Sequence, residues 1–267
     1  MIRLALRVIR LDEGLEEKFW NHVNQDPLNH YFFILDWRFQ RADTKITLAM
    51  DKERIEGLML VFKDAVVQFR GSREAVKALV ERLDLQNVEL TAPVNCGDII
   101  SEYYAAPATY EIMIMHVDKG RETLQMTHQP ERLAQDDAED IARVVREANF
   151  GWWDDTTAER VRNSIKDNFW VGIRREGRVV AVGSTRFVDI GCNFGIVATD
   201  EAYRNQGFAT SIVSHMVKEI FSRHSKALIH LLTNNSPAVR VYSKVGFSPY
   251  TSFFMIRKGV RVSGNQS

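Results

Sequence analysis

The residues best suited to chemistry lie in a short stretch of the second half, from Tyr203 to Thr210. This stretch joins a β-like run to an amphipathic one, so its last residues would begin a helix. The first N–H groups of a helix lack partners within the helix, and the helix dipole adds partial positive charge there. Gly207 and Ala209 leave the backbone nearly bare, and Arg204 adds a fixed charge. The pattern predicts a phosphate-binding loop, although a glycine at a helix start is also common in ordinary turns.

The spacing of this loop excludes two familiar phosphate-binding motifs. No Gly-Lys-Ser/Thr follows the loop, as a Walker loop requires, and the Gly-x-Gly-x-x-Gly dinucleotide fingerprint is absent. A second stretch, NSPAVRVYSKVGF, runs from Asn235 to Phe247. Pro237 suits the first turn of a helix, because its missing N–H would have no partner there.

Together the two stretches resemble the GNAT superfamily of acyl-CoA-dependent N-acyltransferases. The family's Arg/Gln-x-x-Gly-x-Gly/Ala motif matches Arg204, Gly207 and Ala209. Its Asn-x-x-Ala-x-x-x-Tyr-x-x-x-Gly-Phe motif matches Asn235, Ala238, Tyr242, Gly246 and Phe247. The resemblance covers residues 122–257 and implies an α+β fold, with a mixed, mostly antiparallel sheet flanked by helices.

The resemblance also implies a cofactor, acetyl-CoA, with no metal. The N–H groups from Gln206 to Thr210 would bind its pyrophosphate, the strand ending at Thr199 would pair with the pantetheine amides, and Asn235 would contact the pantetheine arm. The implied cofactor-binding residues are Val197, Ala198, Thr199, Arg204, Asn205, Gln206, Gly207, Phe208, Ala209, Thr210, Asn235, Ala238 and Tyr242.

Two side chains are candidates for proton transfer. Tyr242 occupies the place where the family often has a general acid that protonates the leaving thiolate, although a tyrosine on an amphipathic helix can also be a core residue. Many family members have a glutamate base at the position of Asn193, which cannot accept a proton. His230 is a substitute base; the alternatives are a structural histidine, a water relay, or an acceptor that arrives neutral.

The candidate acceptor site is the stretch Trp152, Trp153, Asp154 and Asp155. Adjacent aromatic faces and carboxylates suit an organic cation, which favours a primary amine as substrate. The resemblance places this loop at the acceptor entrance. Alternatively, the tryptophans pack against the first domain and Asp155 or Thr156 caps the next helix.

The order of predicted elements occurs twice along the chain: three strands, a helix, a strand, a short helix and a strand. In the first half, helix Arg73 to Leu83 follows Arg70-Gly71-Ser72, but the glycine spacing of the phosphate loop is lost there. We therefore predict a degenerate GNAT-like domain at 1–118, an acetyl-CoA-binding domain at 122–257 and a tail at 258–267. The last strand is predicted at Ser252 to Ile256.

Composition sets further limits. The chain has 267 residues with 35 basic and 35 acidic side chains, which argues against nucleic-acid or polybasic membrane partners. The halves differ, since residues 1–118 hold 14 Lys and Arg against 19 Asp and Glu, and residues 119–267 hold 21 against 16. Two cysteines, no long apolar run and no secretory signal predict a cytoplasmic protein. We expect a monomer or a homodimer, since the edge strands of a split sheet could support a dimer.

The sequence thus predicts an N-acetyltransferase that transfers an acyl group directly from acetyl-CoA to a small-molecule or peptide amine. The alternative is a catalytically weak sensor or interaction module that binds coenzyme A, which the missing carboxylate at Asn193 favours. A longer acyl donor is a further alternative.

Overall fold

The computed structural model describes residues 6–148, 155–187 and 192–262. The helices are α1 Glu16–Val23, α2 Tyr31–Phe39, α3 Arg73–Val80, α4 Gly97–Tyr103, α5 Ala138–Ala148, α6 Ala158–Asp167, α7 Phe208–Phe221 and α8 Ser236–Lys244. The strands are β1 Arg7–Arg10, β2 Thr44–Asp51, β3 Arg54–Phe62, β4 Val66–Gly71, β5 Asn87–Pro93, β6 Tyr104–Ala105, β7 Thr109–Asp118, β8 Glu131–Arg132, β9 Phe169–Arg175, β10 Arg178–Arg186, β11 Cys192–Thr199, β12 Lys226–Leu232 and β13 Ser248–Arg261.

The chain divides into two compact units. The first contains Met1–Met113, Leu232–Asn234 and Thr251–Ser267, and the second contains Ile114–Leu231 and Asn235–Tyr250. None of the helices in the described ranges combines the length and apolar composition that a bilayer-spanning segment requires.

The first unit has a sheet in the order β1-β2-β3-β4-β5-β13, with β6 also on β13. Neighbouring strands are antiparallel except β4 and β5, which run parallel where Val66–Gln68 pair with Glu89–Thr91. Helix α3 turns its apolar face to the core, where Val76 and Leu79 are fully buried. Ser72 begins this helix by accepting a hydrogen bond from the Ala75 N–H at 3.3 Å.

The second unit has strands in the order β7-β12-β11-β10-β9-β8. Here too a single pair among the registers described, β11 and β12, is parallel. Helix α5 buries Ile141, Val144 and Val145 against the sheet. Helix α7 packs so closely on β10 that a Cβ at Gly183 would lie 2.4 Å from Ile212 Cγ2.

These features confirm the predicted fold class, a mixed and mostly antiparallel sheet flanked by helices. The repeated element order also holds, because β4-α3-β5 and β11-α7-β12 each join parallel strands through a helix. The last strand, however, continues to Arg261, beyond the predicted Ile256. A register shift between Ile256 and Gly259 lets the strand carry on, so part of the predicted tail pairs with β5. The predicted domain boundaries stay a prediction.

The structure supports a prediction on acid stability at His30 in the first unit. Its Nδ1–H donates to the Asp26 carbonyl at 2.9 Å, and burial lowers the pKa of His30 to about 4. The fold therefore favours the neutral ring, while the unfolded chain protonates it below about pH 6.5. Stability falls as pH drops from about 6.5 to about 4, by up to about 3 kcal/mol in total.

We expect His30→Asn, which keeps a donor but does not titrate, to remove this part of the acid sensitivity. Denaturant unfolding at pH 7 and pH 4.5 measures it: the parent should lose about 2 to 3 kcal/mol more than the variant. Equal losses for the two proteins would contradict the prediction.

Candidate active site

The site begins where β11 and β12 separate. Their parallel pairing covers Cys192–Phe194 with Ala227–Ile229 and goes no further in the described register. A bulge follows in β11, since β10 advances two residues from Gly183 to Thr185 while β11 advances three from Phe194 to Val197. Ser184 Oγ fills the bulge by accepting from the Ile196 N–H at 3.1 Å. The divergence leaves one edge of β11 facing a cleft.

This cleft has a volume of about 500 Å³ and lies in the second unit. It brings together almost all of the residues predicted to bind the cofactor: Val197, Ala198, Thr199, Arg204, Asn205, Gly207, Phe208, Ala209, Thr210, Asn235, Ala238 and Tyr242. Gln206 belongs to the same loop but is not among the lining residues. Further lining residues that sequence reasoning missed are Ala148, Tyr203, Pro237, Arg240, Val241 and Lys244.

The loop before α7 is held at its base by Asp200. Its carboxylate accepts from the Ala202 N–H at 3.2 Å and from Arg143 Nη1 of α5 at 2.8 Å. The Arg143 hydrogen bond holds the pKa of Asp200 below its usual range. At the top of the loop, Asn205 and Gly207 adopt left-handed backbone conformations, with φ of 61° and 85°. Gly207 meets this requirement without strain and is the N-cap residue of α7.

Helix α8 begins at the edge of the same cleft. Asn235 Oδ1 accepts from the Ala238 N–H at 3.2 Å, and Pro237 follows in the first turn, where its lack of an N–H costs nothing. Asn235 is thus a helix cap as well as a cleft-lining residue. Arg240 and Lys244 are one turn apart on α8, and both are exposed at the cleft.

The Tyr242 ring is 4% exposed and packs edge-on against two phenylalanines. Its centroid lies 5.8 Å from that of Phe194 and 5.3 Å from that of Phe247. Burial raises the pKa of the Tyr242 phenol, so the hydroxyl stays protonated at neutral pH. Tyr242 is therefore a core tyrosine that also lines the cleft, and its role as a general acid stays a prediction.

His230 lies on the opposite face of the sheet. Phe194 faces Tyr242, so its neighbour Asn193 points to the other side of β11. Asn193 Oδ1 accepts a hydrogen bond from His230 Nδ1 at 3.2 Å, which leaves the lone pair on Nε2. His230 is not among the residues that line the cleft.

Of the four predicted acceptor residues, only Asp155 lies within the described residues. Trp152, Trp153 and Asp154 lie outside the described residues. Asp155 is exposed and forms an ion pair with Arg160. The cap of α6 is Thr157, whose Oγ1 accepts from the Arg160 N–H at 3.2 Å. The expectation that Asp155 or Thr156 caps this helix is therefore wrong, because Thr157 is the residue with extended backbone geometry next to the first turn.

The residues around the cleft fit an extended amide-bearing ligand with a phosphate end. The edge of β11 offers backbone groups, and Thr199 Oγ1 is buried without a hydrogen-bond partner in the described part of the chain. The loop and α8 add Arg204, Arg240 and Lys244 around the opening. Among the described residues, no group of His, Cys, Asp and Glu is arranged to hold a metal ion.

The first unit lacks the matching loop. There β4 ends at Gly71 and α3 begins at Arg73, whereas residues 200–207 separate β11 from α7. Arg70 lies beyond the part of β4 that pairs with β5, and its buried guanidinium donates to the carbonyls of Asn29 and Phe69 at 2.9 and 2.7 Å. It also stacks 3.7 Å from the centre of the Phe253 ring. Side chains thus fill this part of the first unit.

Comparison with known families agrees with this geometry. Residues 170–255, which contain the cleft-forming strands, the loop and α8, match the family described as FR47-like protein. Most of the matched residues belong to the second unit. The match covers the strand separation and both motifs and thus confirms the resemblance to the GNAT superfamily. No curated protein sequence matches the chain.

Solved structures show the same fold over nearly the whole chain. A Drosophila protein has a TM-score of 0.68 at 12% identity, covering 94% of this chain and 98% of its own. A GNAT-family acetyltransferase from Colwellia psychrerythraea scores 0.59 at 12% identity, covering 96% and 100%. A tandem GNAT protein from the clavulanic acid biosynthesis pathway scores 0.57 at 10% identity, covering 98% and 100%. At these identities, the likeness concerns the fold.

Proposed function

We propose that this protein is an N-acetyltransferase that uses acetyl-CoA and transfers the acetyl group directly to an amine. The cleft beside β11, beyond the part of this strand that pairs with β12, carries the proposal. It brings the loop before α7, the free edge of β11 and Tyr242 of α8 to one place. An anion site, an edge for amide groups and a protonated phenol are what a phosphopantetheine thioester requires.

The charge of the cleft suits the same donor. Arg204, Arg240 and Lys244 surround the opening, and the second half of the chain has a net surplus of basic residues. Coenzyme A carries several phosphate charges, so a basic opening would attract it over a distance of about 10 Å.

In the proposed reaction, the amine nitrogen attacks the thioester carbonyl, the C–N bond forms and the C–S bond breaks. The nitrogen loses one proton and the departing sulfur gains one. Tyr242 donates to the sulfur from the α8 face of the sheet. His230 accepts the amine proton at Nε2 from the other face, directly or through water. The amine adds to the carbonyl carbon, and the thiolate leaves when the tetrahedral intermediate collapses.

The acceptor is proposed to be a primary amine, either small or on a peptide. Its entrance would be formed by Trp152, Trp153, Asp154 and Asp155, whose aromatic faces and carboxylates attract a cation.

Thiol release from acetyl-CoA, measured with a panel of primary amines, tests the proposed function. We expect release that depends on the amine and is accompanied by the N-acetyl product in mass spectrometry. Binding of coenzyme A without release for any amine would instead indicate a sensor. Comparing acetyl-CoA with longer acyl-CoA donors tests the acyl chain length.

Removing the two basic side chains of α8 should weaken coenzyme A binding. For the double variant Arg240→Ala and Lys244→Ala we expect a rise in Kd of about tenfold at low salt, and a smaller rise at high salt, because exposed charges are screened. Titration calorimetry at two salt concentrations measures this. Lys166→Ala on α6 is the control, since this exposed lysine bonds Asn163 and does not line the cleft. A change in Kd no larger than that of the control would contradict the prediction.

A further inference from the structure

Behind the loop before α7 lies His128, a residue with no part in either motif. Its ring stacks on Phe208, the first residue of α7, with centroids 4.0 Å apart and planes 11° apart. Nε2 lies 2.7 Å from the Gln206 carbonyl oxygen, and Nδ1 lies 2.7 Å from Arg175 Nη2. The His128 N–H donates to Ser211 Oγ at 3.1 Å, which ties its backbone to α7.

These partners fix the protonation of the ring. A carbonyl oxygen can only accept, so Nε2 carries the hydrogen and donates it to Gln206. A guanidinium can only donate, so Nδ1 accepts from Arg175. His128 is therefore held as the neutral Nε2–H tautomer. Arg175 is itself fixed, because Nη1 donates to the Arg174 carbonyl at 2.8 Å and its guanidinium lies 4.8 Å from the centre of the Phe208 ring.

The hydrogen bond to Gln206 sets the direction of the next N–H group. In a trans peptide, the carbonyl of one residue and the N–H of the next point in opposite directions. The carbonyl of Gln206 points back to His128, so the N–H of Gly207 points away from it. Gly207 lines the cleft and is the N-cap residue of α7. Its N–H is one of those left without a partner in the first turn of a helix.

We propose that His128 is a positioning residue for the donor substrate: through the Gln206 carbonyl, it aims the Gly207 N–H at the pyrophosphate of acyl-CoA, and Arg175 holds the His128 tautomer that can do so. This inference rests on the proposed function and extends it to residues outside both motifs. Its consequence is selective, because a ligand without a pyrophosphate gains nothing from the orientation of this peptide.

Two variants separate the hydrogen bond from the stack. His128→Phe keeps an aromatic ring against Phe208 but loses both hydrogen bonds. His128→Gln loses the ring but offers an N–H and a carbonyl oxygen at a similar spacing. In the phenylalanine variant the Gly207 N–H is no longer held toward the pyrophosphate, so we expect the Kd for coenzyme A to rise about tenfold, as for loss of one hydrogen bond to a charged group. In the glutamine variant we expect a Kd close to that of the parent. Calorimetry measures both.

Pantetheine, which lacks the pyrophosphate, is the second probe, and ligand-observed NMR measures its binding. We expect its affinity to be the same in the parent and both variants. If His128 only supports the packing of Phe208, the order of the two variants reverses. The phenylalanine variant then binds like the parent, and the glutamine variant binds both ligands more weakly. This outcome overturns the inference. Equal Kd values for coenzyme A in the parent and both variants also overturn the inference. A parent that binds no coenzyme A overturns the proposed function itself.

Discussion

Tyr242→Phe is expected to lower kcat for acetyl transfer by about 10² to 10³-fold. The phenylalanine ring can keep the edge-on contacts with Phe194 and Phe247, so the core around it should persist. What is lost is the hydroxyl that would protonate the departing sulfur. The Kd for coenzyme A should change little, because the phosphate loop and the edge of β11 are untouched. Steady-state kinetics together with calorimetry measure the two quantities separately.

The pH dependence of the parent gives an independent check. A phenol donates only while protonated, and burial raises the pKa of Tyr242. The protonated range therefore extends to higher pH than for an exposed tyrosine, which deprotonates near about 10. The parent should show no loss of kcat from Tyr242 at pH 9 to 10, and unchanged turnover in Tyr242→Phe would remove this residue from the mechanism.

His230→Gln is expected to reduce kcat/KM by about 10²-fold for an amine acceptor, because the proposed general base is lost. The glutamine keeps a polar group near Asn193 Oδ1, which limits the damage to packing. The acidic limb of the kcat/KM profile should also change shape, since a residue that must be deprotonated has been removed. The measurement is kcat/KM against pH for parent and variant.

A matched control for His230 is available in His116. It lies in the second unit, where its ring packs against Tyr250 at 5.5 Å, and it does not line the cleft. His116→Gln should leave kcat/KM near the parent value. If His230→Gln keeps both the rate and the acidic limb of the parent, then a water relay or a neutral acceptor replaces the proposed base.

The sequence predicts the cleft well because its residues form two compact motifs. A loop and a helix start fix several neighbouring residues at once, so Arg204, Gly207 and Asn235 come together once the strands are placed. Arg240 and Lys244 were missed because exposed cations on a helix look the same whether they face a ligand or solvent. His128 was missed because its role depends on a long-range contact with Gln206, and no local pattern shows such a contact.

Some elements of the fold are also predicted from the sequence and others are not. Helix α3 is predicted from the sequence at Arg73 to Leu83, whereas α2, with the sequence YFFILDWRF, is not predicted. Six of its nine residues are buried, so apolar side chains surround it and the periodic signal disappears. The extension of β13 to Arg261 depends on a bulge at Gly259 and on pairing with β5, which local sequence does not encode.

The first unit cannot be completed until the last strand of the chain has been synthesised. Its sheet ends with residues of β13, and Phe254 and Ile256 complete the same core as Val76 and Leu79. Those residues are synthesised after the whole of α7 and α8. In the nascent chain, one edge of β5 therefore stays unpaired until β13 has been synthesised, while strands β7 to β12 of the second unit can already pair. In a chain stalled on the ribosome after β7, the first unit should be sensitive to protease. In the full-length chain, the first unit should be resistant.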